Sequence, residues 1–148
     1  MTMDLILRKM TETDVADVLE LEKVCFNSEA WDEISFLYRI GHEESFLCLV
    51  ACYGDEFCGY ISVCTQLGEM NIDSLAVSPK HRREGIATKL IDEATFLCKP
   101  KRTLLEVRES NFGARELYKG LGFREMTLRR GYYDKPEEDA VVMERLTL

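Results

Sequence analysis

One turn of this sequence combines a glycine, small residues and two arginines in a spacing suited to binding an anion. The segment from Val77 to Ala87 follows an apolar run and precedes a helical pattern, with Arg82 and Arg83 just before Gly85. A helix N-terminus offers unpaired backbone N–H groups and a positive dipole end, which suit a pyrophosphate. The small residues leave the backbone open to such a ligand, although an ordinary helix cap would also explain them.

The apolar run before this turn changes its alternation part-way along. Met70 and Ile72 share one parity, whereas Leu75 and Val77 share the other. Because successive strand residues face opposite sides, one apolar face can continue only if an extra residue is inserted near Asp73-Ser74. This predicts a β-bulge, which would splay the strand from its neighbour and open a cleft. A strand buried on both faces is the alternative interpretation.

Two further residues have side chains that can move protons, and both also have ordinary structural explanations. Glu106 lies in the strand pattern of residues 103–108, where a carboxylate is usually a solvated side chain. Tyr118 lies on the apolar stripe of a short helical segment, where a tyrosine is usually part of the core. A carboxylate can serve as a general base and a phenol as a general acid. The residue pattern alone leaves both interpretations open.

The elements that must position these residues alternate in type, and they predict an α/β fold of the mixed α+β kind. The order is β-α-α-β-β-β-α-β-α-β-β. Strands are predicted at 4–8, 45–53, 57–66, 69–77, 103–108, 123–132 and 140–146. Helices are predicted after Thr11, at 32–40, at 83–98 and at 111–121. The first helix carries Val15, Val18, Leu19, Leu21 and Val24 with mixed three- and four-residue spacing.

Length, composition and charge indicate one globular domain spanning residues 1–148. The net charge of −8 argues against direct nucleic-acid binding, which needs clustered Lys and Arg. It suits either a cationic partner or plain solubility. No apolar run approaches the length of a membrane span and no signal peptide is visible, so we expect a cytoplasmic protein without a membrane partner.

Six cysteines raise the question of a metal site or disulfides. They show no Cys-x-x-Cys spacing, and both histidines lie away from any cysteine cluster. Most of the cysteines fall in apolar runs, where a thiol packs as a small hydrophobic side chain. We therefore expect reduced core cysteines and no metal.

The Arg82-x-x-Gly85-x-Ala87 motif resembles the acetyl-CoA pyrophosphate loop of the GNAT superfamily of N-acetyltransferases. The element order fits that fold over nearly the whole chain. Three C-terminal segments are also similar to the ribosomal-protein alanine N-acetyltransferases of the RimI type: Leu105–Asn111, Leu117–Phe123 and Arg129–Tyr133. The resemblance implies a mostly antiparallel, twisted sheet of about seven strands, splayed at the acetyl-CoA cleft. It also implies acetyl-CoA as the donor and a protein N-terminus as the acceptor.

The resemblance assigns a role to each candidate residue. It implies that Glu106 is the general base for the attacking amine, and that Tyr118 contacts the cofactor and protonates the departing thiolate. It places Asn111, an expected helix cap, near the same cofactor. The remaining cofactor-binding residues that it implies are Leu75, Ala76, Val77, Arg82, Arg83, Glu84, Gly85, Ile86 and Ala87.

Aromatic residues are the candidates for the acceptor side. They are Trp31, with the loop of residues 27–30, and Tyr132 and Tyr133 between the last two strands. Aromatic side chains around a short peptide would exclude water and hold the peptide backbone in place. The relatives often have proline before the tryptophan, where this chain has Ala30, so the preferred first residue of the acceptor stays open.

Three functions follow from these residues. The first is acetylation of a protein N-terminus, namely the N-terminal alanine of a small-subunit ribosomal protein. The second is acetylation of a small-molecule amine, and the third is a non-catalytic acyl-CoA-binding module. A base together with an acid favours an enzyme, and the C-terminal segments favour a protein acceptor. We expect a monomer or a weak dimer.

Overall fold

The structure is a computed structural model, which describes residues 4–26, 31–134 and 136–147. Within these ranges the strands are β1 (Leu5–Lys9), β2 (Phe46–Tyr53), β3 (Glu56–Gln66), β4 (Glu69–Val77), β5 (Arg102–Arg108), β6 (Arg124–Tyr133) and β7 (Glu138–Leu146). The helices are α1 (Val15–Phe26), α2 (Glu33–Ile40), α3 (Ile86–Cys98) and α4 (Phe112–Gly120). Short 3-10 turns at Glu12–Asp14 and Pro79–His81 complete the described elements. The predicted element order is confirmed.

All of these strands form one sheet, in the order β1-β2-β3-β4-β5-β7-β6. Neighbouring strands are antiparallel except β4 and β5, which run parallel. A parallel neighbour requires a crossover connection, and α3 provides it. The prediction of a mixed but mostly antiparallel sheet is therefore confirmed.

Helices cover both faces of the sheet, as predicted. On one face, α3 buries Ile86, Leu90, Ile91 and Ala94 in the larger apolar cluster. On the other face, α1 and α2 contribute Val15, Val18, Leu21 and Phe36 to a second cluster. These two surfaces are called the α3 face and the α1/α2 face below.

The buried stripe of α1 includes a charged residue and leaves out one apolar residue. Val24 is 64% exposed, whereas Glu22 is only 1% exposed. The helical repeat explains the difference, because Glu22 lies four residues after the buried Val18 and therefore on the same stripe. A buried carboxylate thus takes a position that apolar residues usually hold.

The β-bulge predicted in β4 is confirmed. Ser74 pairs with Ser62 and Ile72 pairs with the adjacent Val63, so Asp73 is the extra residue. The insertion restores one apolar face on both sides of the bulge. As a result, four side chains of β4 pack in the cluster of the α3 face: Met70, Ile72, Leu75 and Val77.

The sequence pattern predicted that the third helix begins at Arg83, but it begins at Ile86. Arg83 has a φ of 65° and Gly85 a φ of 78°, both in the left-handed region that a right-handed helix excludes. Residues 82–85 are therefore an exposed loop. The predicted bounds of the strands lie within two residues of the observed ones. Among the described helices, none is long and apolar enough to cross a membrane.

Candidate active site

The site is built where β4 and β5 separate. These strands pair over four residues, and the pairing ends at Ile72 with Leu105. Beyond that point β4 continues to Val77 and β5 to Arg108 without pairing to each other. The bulge at Asp73 comes directly after the last pair, and a bulge bends its strand. The predicted splay is thus present, and it leaves a cleft between the ends of two parallel strands.

The three residues that end β4 border this cleft with their backbone. Leu75, Ala76 and Val77 pair with β3 on their other side, where a Cβ on Gly59 would lie 2.7 Å from the carbonyl oxygen of Ala76. Glycine is therefore required at position 59 for this close approach. The side chain of Ala76 packs on the α1/α2 face and the other two on the α3 face. Only their backbone groups are therefore available to a ligand in the cleft.

The turn before α3 has the features of an anion site. Gly85 precedes the helix in the left-handed conformation, and a Cβ built on it would meet nothing within 4 Å. The first helical hydrogen bond runs from the N–H of Lys89 to the carbonyl of Gly85 at 3.0 Å. The N–H groups of Ile86, Ala87 and Thr88 precede that bond and are available to a ligand. The side chain of Ile86 is buried, so only its backbone can contribute.

Charged side chains surround this turn. Arg82 and Arg83 are exposed, and both can approach an anion bound at the helix N-terminus. Glu84 is engaged locally, because its carboxylate accepts from the Tyr53 hydroxyl at 3.2 Å and lies 3.2 Å from Nδ1 of His81. The two arginines thus bring positive charge to the turn, together with Lys80 of the preceding 3-10 turn.

Glu106 is the first residue of β5 beyond the paired segment, so it stands at the start of the cleft. Its neighbours Leu105 and Val107 belong to the cluster of the α3 face, and Glu106 therefore points to the α1/α2 face. Its side chain is 21% exposed, and its Oε1 lies 3.4 Å from Nη1 of Arg129 on β6. The structure places the predicted base as a partly buried carboxylate with one cationic neighbour.

The tyrosines at the end of β6 adjoin this carboxylate. Burial raises the pKa of Tyr132, and its interaction with Glu106 raises that pKa further. Burial also raises the pKa of Tyr133 to about 12, and the Arg108 guanidinium lies 4.5 Å from the centre of its ring. The two tyrosine rings are nearly perpendicular, with centres 5.0 Å apart. The structure thus brings one part of the predicted acceptor wall next to the predicted base.

Tyr118 occupies the opposite face. It packs against the cluster of the α3 face, with its ring centre 5.6 Å from that of Phe123. Burial raises the pKa of Tyr118 to about 12, so the phenol is protonated at neutral pH and can donate a hydrogen bond. The described contacts do not join Tyr118 to Glu106. The two predicted catalytic residues therefore approach the sheet from different sides.

Asn111 has the capping role that we predicted. Its side-chain oxygen accepts the N–H of Ala114 at 3.1 Å, at the first turn of α4. Its predicted contact with acetyl-CoA stays a prediction.

Trp31 stands at the start of α2, on the α1/α2 face. Its backbone N–H donates to Oε2 of Glu22 at 3.2 Å, and its ring lies 4.0 Å from the guanidinium carbon of Arg39. The ring centre of Phe36 is 5.4 Å away. The loop of residues 27–30, including Ala30, lies outside the described residues. Within those ranges, no group of three or more His, Cys, Asp or Glu side chains is arranged to hold a metal ion.

Comparison with known proteins identifies the family. A model of the acetyltransferase (GNAT) family matches residues 15–123, from the start of α1 to just past the end of α4. This chain belongs to the GNAT acetyltransferase family. The matched part contains the bulge, the turn at Gly85, Glu106 and Tyr118, so the family match covers both strands that border the cleft.

Individual GNAT relatives agree with this assignment. The chain is 30% identical over 139 residues to the ribosomal protein bS18-alanine N-acetyltransferase of Salmonella typhimurium, which covers 90% of this chain and 92% of that protein. The crystal structure of the ribosomal-protein-S18-alanine N-acetyltransferase from Escherichia coli superposes with a TM-score of 0.85 at 26% identity, covering 97% and 94% of the two chains. Ard1 from Thermoplasma volcanium superposes with a TM-score of 0.86 at 26% identity, covering 97% and 98%. The predicted GNAT-like fold and acetyltransferase class are confirmed.

Three charged residues of this GNAT domain were missed by the sequence analysis. Glu22 is buried, which raises its pKa, and it accepts hydrogen bonds from the hydroxyls of Tyr60 and Ser74. Its place on the buried stripe of α1 was the available signal. Arg39 binds Asp73 at 2.8 Å. That ion pair joins residues far apart in the chain, and no local pattern marks it.

Proposed function

We propose that this protein transfers the acetyl group of acetyl-CoA to the N-terminal α-amine of a protein, and that the acceptor is the N-terminal alanine of a small-subunit ribosomal protein. The observation that carries the proposal is the splay between β4 and β5, because one cleft borders both the backbone of β4 and the Glu106 carboxylate. Similarity to the Salmonella typhimurium and Escherichia coli enzymes supports the choice of acceptor. The proposed place of action is the cytoplasm, and the proposed form is a monomer or weak dimer.

The residues at the turn fit the donor. Acetyl-CoA supplies the acetyl group as a thioester. The free N–H groups at the start of α3 and the exposed Arg82 and Arg83 suit its pyrophosphate, and the open space at Gly85 admits it. The backbone of residues 75–77 suits the pantetheine arm in a strand-like contact. A backbone N–H of this segment would polarise the thioester carbonyl as an oxyanion donor.

Glu106 is proposed to accept the proton of the attacking amine. Only a neutral amine attacks a thioester, so the cost of deprotonation matters. At pH 7 that cost is about 1 kcal/mol for an α-amine with a pKa of about 7.8, but about 4.6 kcal/mol for a lysine with a pKa of about 10.4. One carboxylate, acting directly or through one water, suffices for the α-amine. This difference supports an N-terminal acceptor.

Tyr118 is proposed to act on the leaving thiolate. Its pKa of about 12 lies above that of a thiol, which is about 8.5. Complete proton transfer from the phenol to the thiolate would therefore be uphill. Instead of protonating the thiolate, as the resemblance implied, the hydroxyl is proposed to donate a hydrogen bond to the sulfur as negative charge develops there. The position of Tyr118 on the α3 face, where the turn of residues 82–85 (called the donor turn below) leads into α3, supports this role.

The test uses synthetic peptides that begin with alanine and carry an internal lysine. We expect acetyl-CoA-dependent acetylation at the α-amine, located by fragment-ion mass spectrometry. Matched peptides with a blocked N-terminus serve as the control and should stay unmodified. Turnover only on polyamines or other small amines would instead establish the second candidate function. Binding of acetyl-CoA without thiol release on any amine would contradict both enzymatic functions.

A further inference from the structure

Two polar bridges connect Trp31 to the bulge of β4. In the first, the buried carboxylate of Glu22 accepts the N–H of Trp31 at 3.2 Å and the hydroxyl of Ser74 at 2.9 Å. In the second, the Arg39 guanidinium lies 4.0 Å from the centre of the Trp31 ring and 2.8 Å from Oδ2 of Asp73. Asp73 is the bulged residue and Ser74 follows it. Both bridges therefore end where β4 leaves β5.

The second bridge is held firmly. The guanidinium of Arg39 also lies 4.7 Å from the ring centre of Phe46, and its Nη1 donates to the Ser62 hydroxyl at 3.3 Å. The side chains of Arg39 and Asp73 are each only 18% exposed. Oδ1 of Asp73 accepts a further hydrogen bond from the Asn71 amide at 3.0 Å. A planar guanidinium that stacks and hydrogen-bonds at once has a fixed orientation, which a flexible ammonium would lack.

We infer that Arg39 is a positioning residue, which holds the Trp31 ring at a set distance from the point where β4 and β5 diverge. The inference rests on the proposed function for its consequence at the acceptor. Asp73 follows the last paired residue of β4, and Glu106 follows the last paired residue of β5. Fixing the ring relative to Asp73 therefore also fixes it relative to Glu106. An amine lying between the ring and the carboxylate meets the base at a constant spacing.

The two bridges hold different parts of Trp31, so the loss of the ring contact can be measured separately from a loss of the fold. Glu22 anchors the backbone N–H, whereas Arg39 contacts the ring. Removing the guanidinium should therefore free the ring while the backbone stays attached to α1. The donor turn should be unaffected, because α3 packs on the other face of the sheet.

Fluorescence reads the ring position without any substrate, because Trp31 is the only tryptophan of the chain. In Arg39→Met and in Asp73→Asn, acrylamide should quench Trp31 more strongly than in the wild type. Arg39→Lys should give an intermediate value, since it keeps the charge but not the planar stack. The control is Arg8→Met, which breaks a matched arginine–aspartate pair with Asp14 at 2.7 Å and should leave the quenching unchanged.

Steady-state kinetics then test the consequence for the acceptor. In Arg39→Met and Asp73→Asn the KM for an alanine-starting peptide should rise about tenfold, with the KM for acetyl-CoA unchanged. The double variant should be no worse than the singles, because both break one bridge. If the wild type accepts only a small amine, the proposed function fails, and the same comparison is made with that amine. Unchanged quenching in both variants, or an equal rise in both KM values, would overturn the inference.

Discussion

Gly85 has two proposed roles in the donor turn: it adopts the left-handed backbone conformation and it leaves space for the pyrophosphate of acetyl-CoA. Substitution of Gly85 can separate these two roles. Gly85 has a φ of 78°, and a Cβ there would meet no atom within 4 Å. In the free protein Gly85→Ala should therefore cost only the left-handed strain of about 1–2 kcal/mol, which lowers Tm by about 2–8 °C in a domain of this size. The added methyl group would project into the space that we assign to the pyrophosphate. The KM for acetyl-CoA should rise by about 10- to 200-fold, and Gly85→Leu should abolish measurable binding.

Gly68 is the matched control for this prediction. It has a φ of 82°, and a Cβ there would approach only the flexible side chain of Lys101, at 3.7 Å. It lies in the turn between β3 and β4, at the end of β4 opposite to the donor turn. Gly68→Ala should lose as much stability as Gly85→Ala, measured by thermal unfolding, while its KM for acetyl-CoA stays at the wild-type value. An equal change of this KM in both variants, or an unchanged KM in Gly85→Ala, would show that Gly85 does not face the pyrophosphate.

Three further predictions concern single side chains. Tyr118→Phe should lower turnover about 10²- to 10³-fold in a thiol-release assay while acetyl-CoA binding is retained; an unchanged rate would remove Tyr118 from the mechanism. Burial raises the pKa of Glu22 above its ordinary 4.5, so the stability linked to this group is complete below that pH and is lost as pH rises through the folded-state value. The unfolding free energy of the wild type relative to Glu22→Gln should accordingly fall as pH rises above 4.5 in denaturant titrations, and a constant difference would contradict the assignment. Asn111→Ala should cost about 1 kcal/mol of stability by removing the cap of α4, and an equally large loss in the exposed-site control Asp55→Ala would show that the cap is not the cause.

Local patterns were sufficient to predict the element order and the bulge. The parity change between Ile72 and Leu75 marks an inserted residue, because a strand must keep its apolar face toward the core. The order of the elements predicted helices on both faces of the sheet. These features depend on residues close together in the chain, and such residues carry their own periodic signal.

Features that depend on backbone strain or on distant contacts were not predicted. The left-handed φ of Arg83 delays the start of α3, and an arginine gives no local sign of that conformation. Glu22 lies on the buried stripe of α1, but the hydroxyls that donate to its carboxylate belong to β3 and β4, which the helix pattern does not contain. The Arg39–Asp73 pair likewise forms only after α2 has packed on the sheet. Roles for Glu106 and Tyr118 came from the family resemblance, since a strand carboxylate and a core tyrosine are common without function.

In the proposed mechanism, the splay between β4 and β5 places the thioester beside an amine whose proton the Glu106 carboxylate accepts. The turnover of Glu106→Gln with an alanine-starting peptide at saturating acetyl-CoA tests this step. Glutamine keeps the size of the side chain but cannot accept the proton of the amine. We predict a loss of about 10²- to 10⁴-fold in turnover, with peptide and acetyl-CoA binding close to the wild type. A variant that turns over at the wild-type rate would show that Glu106 is not the base.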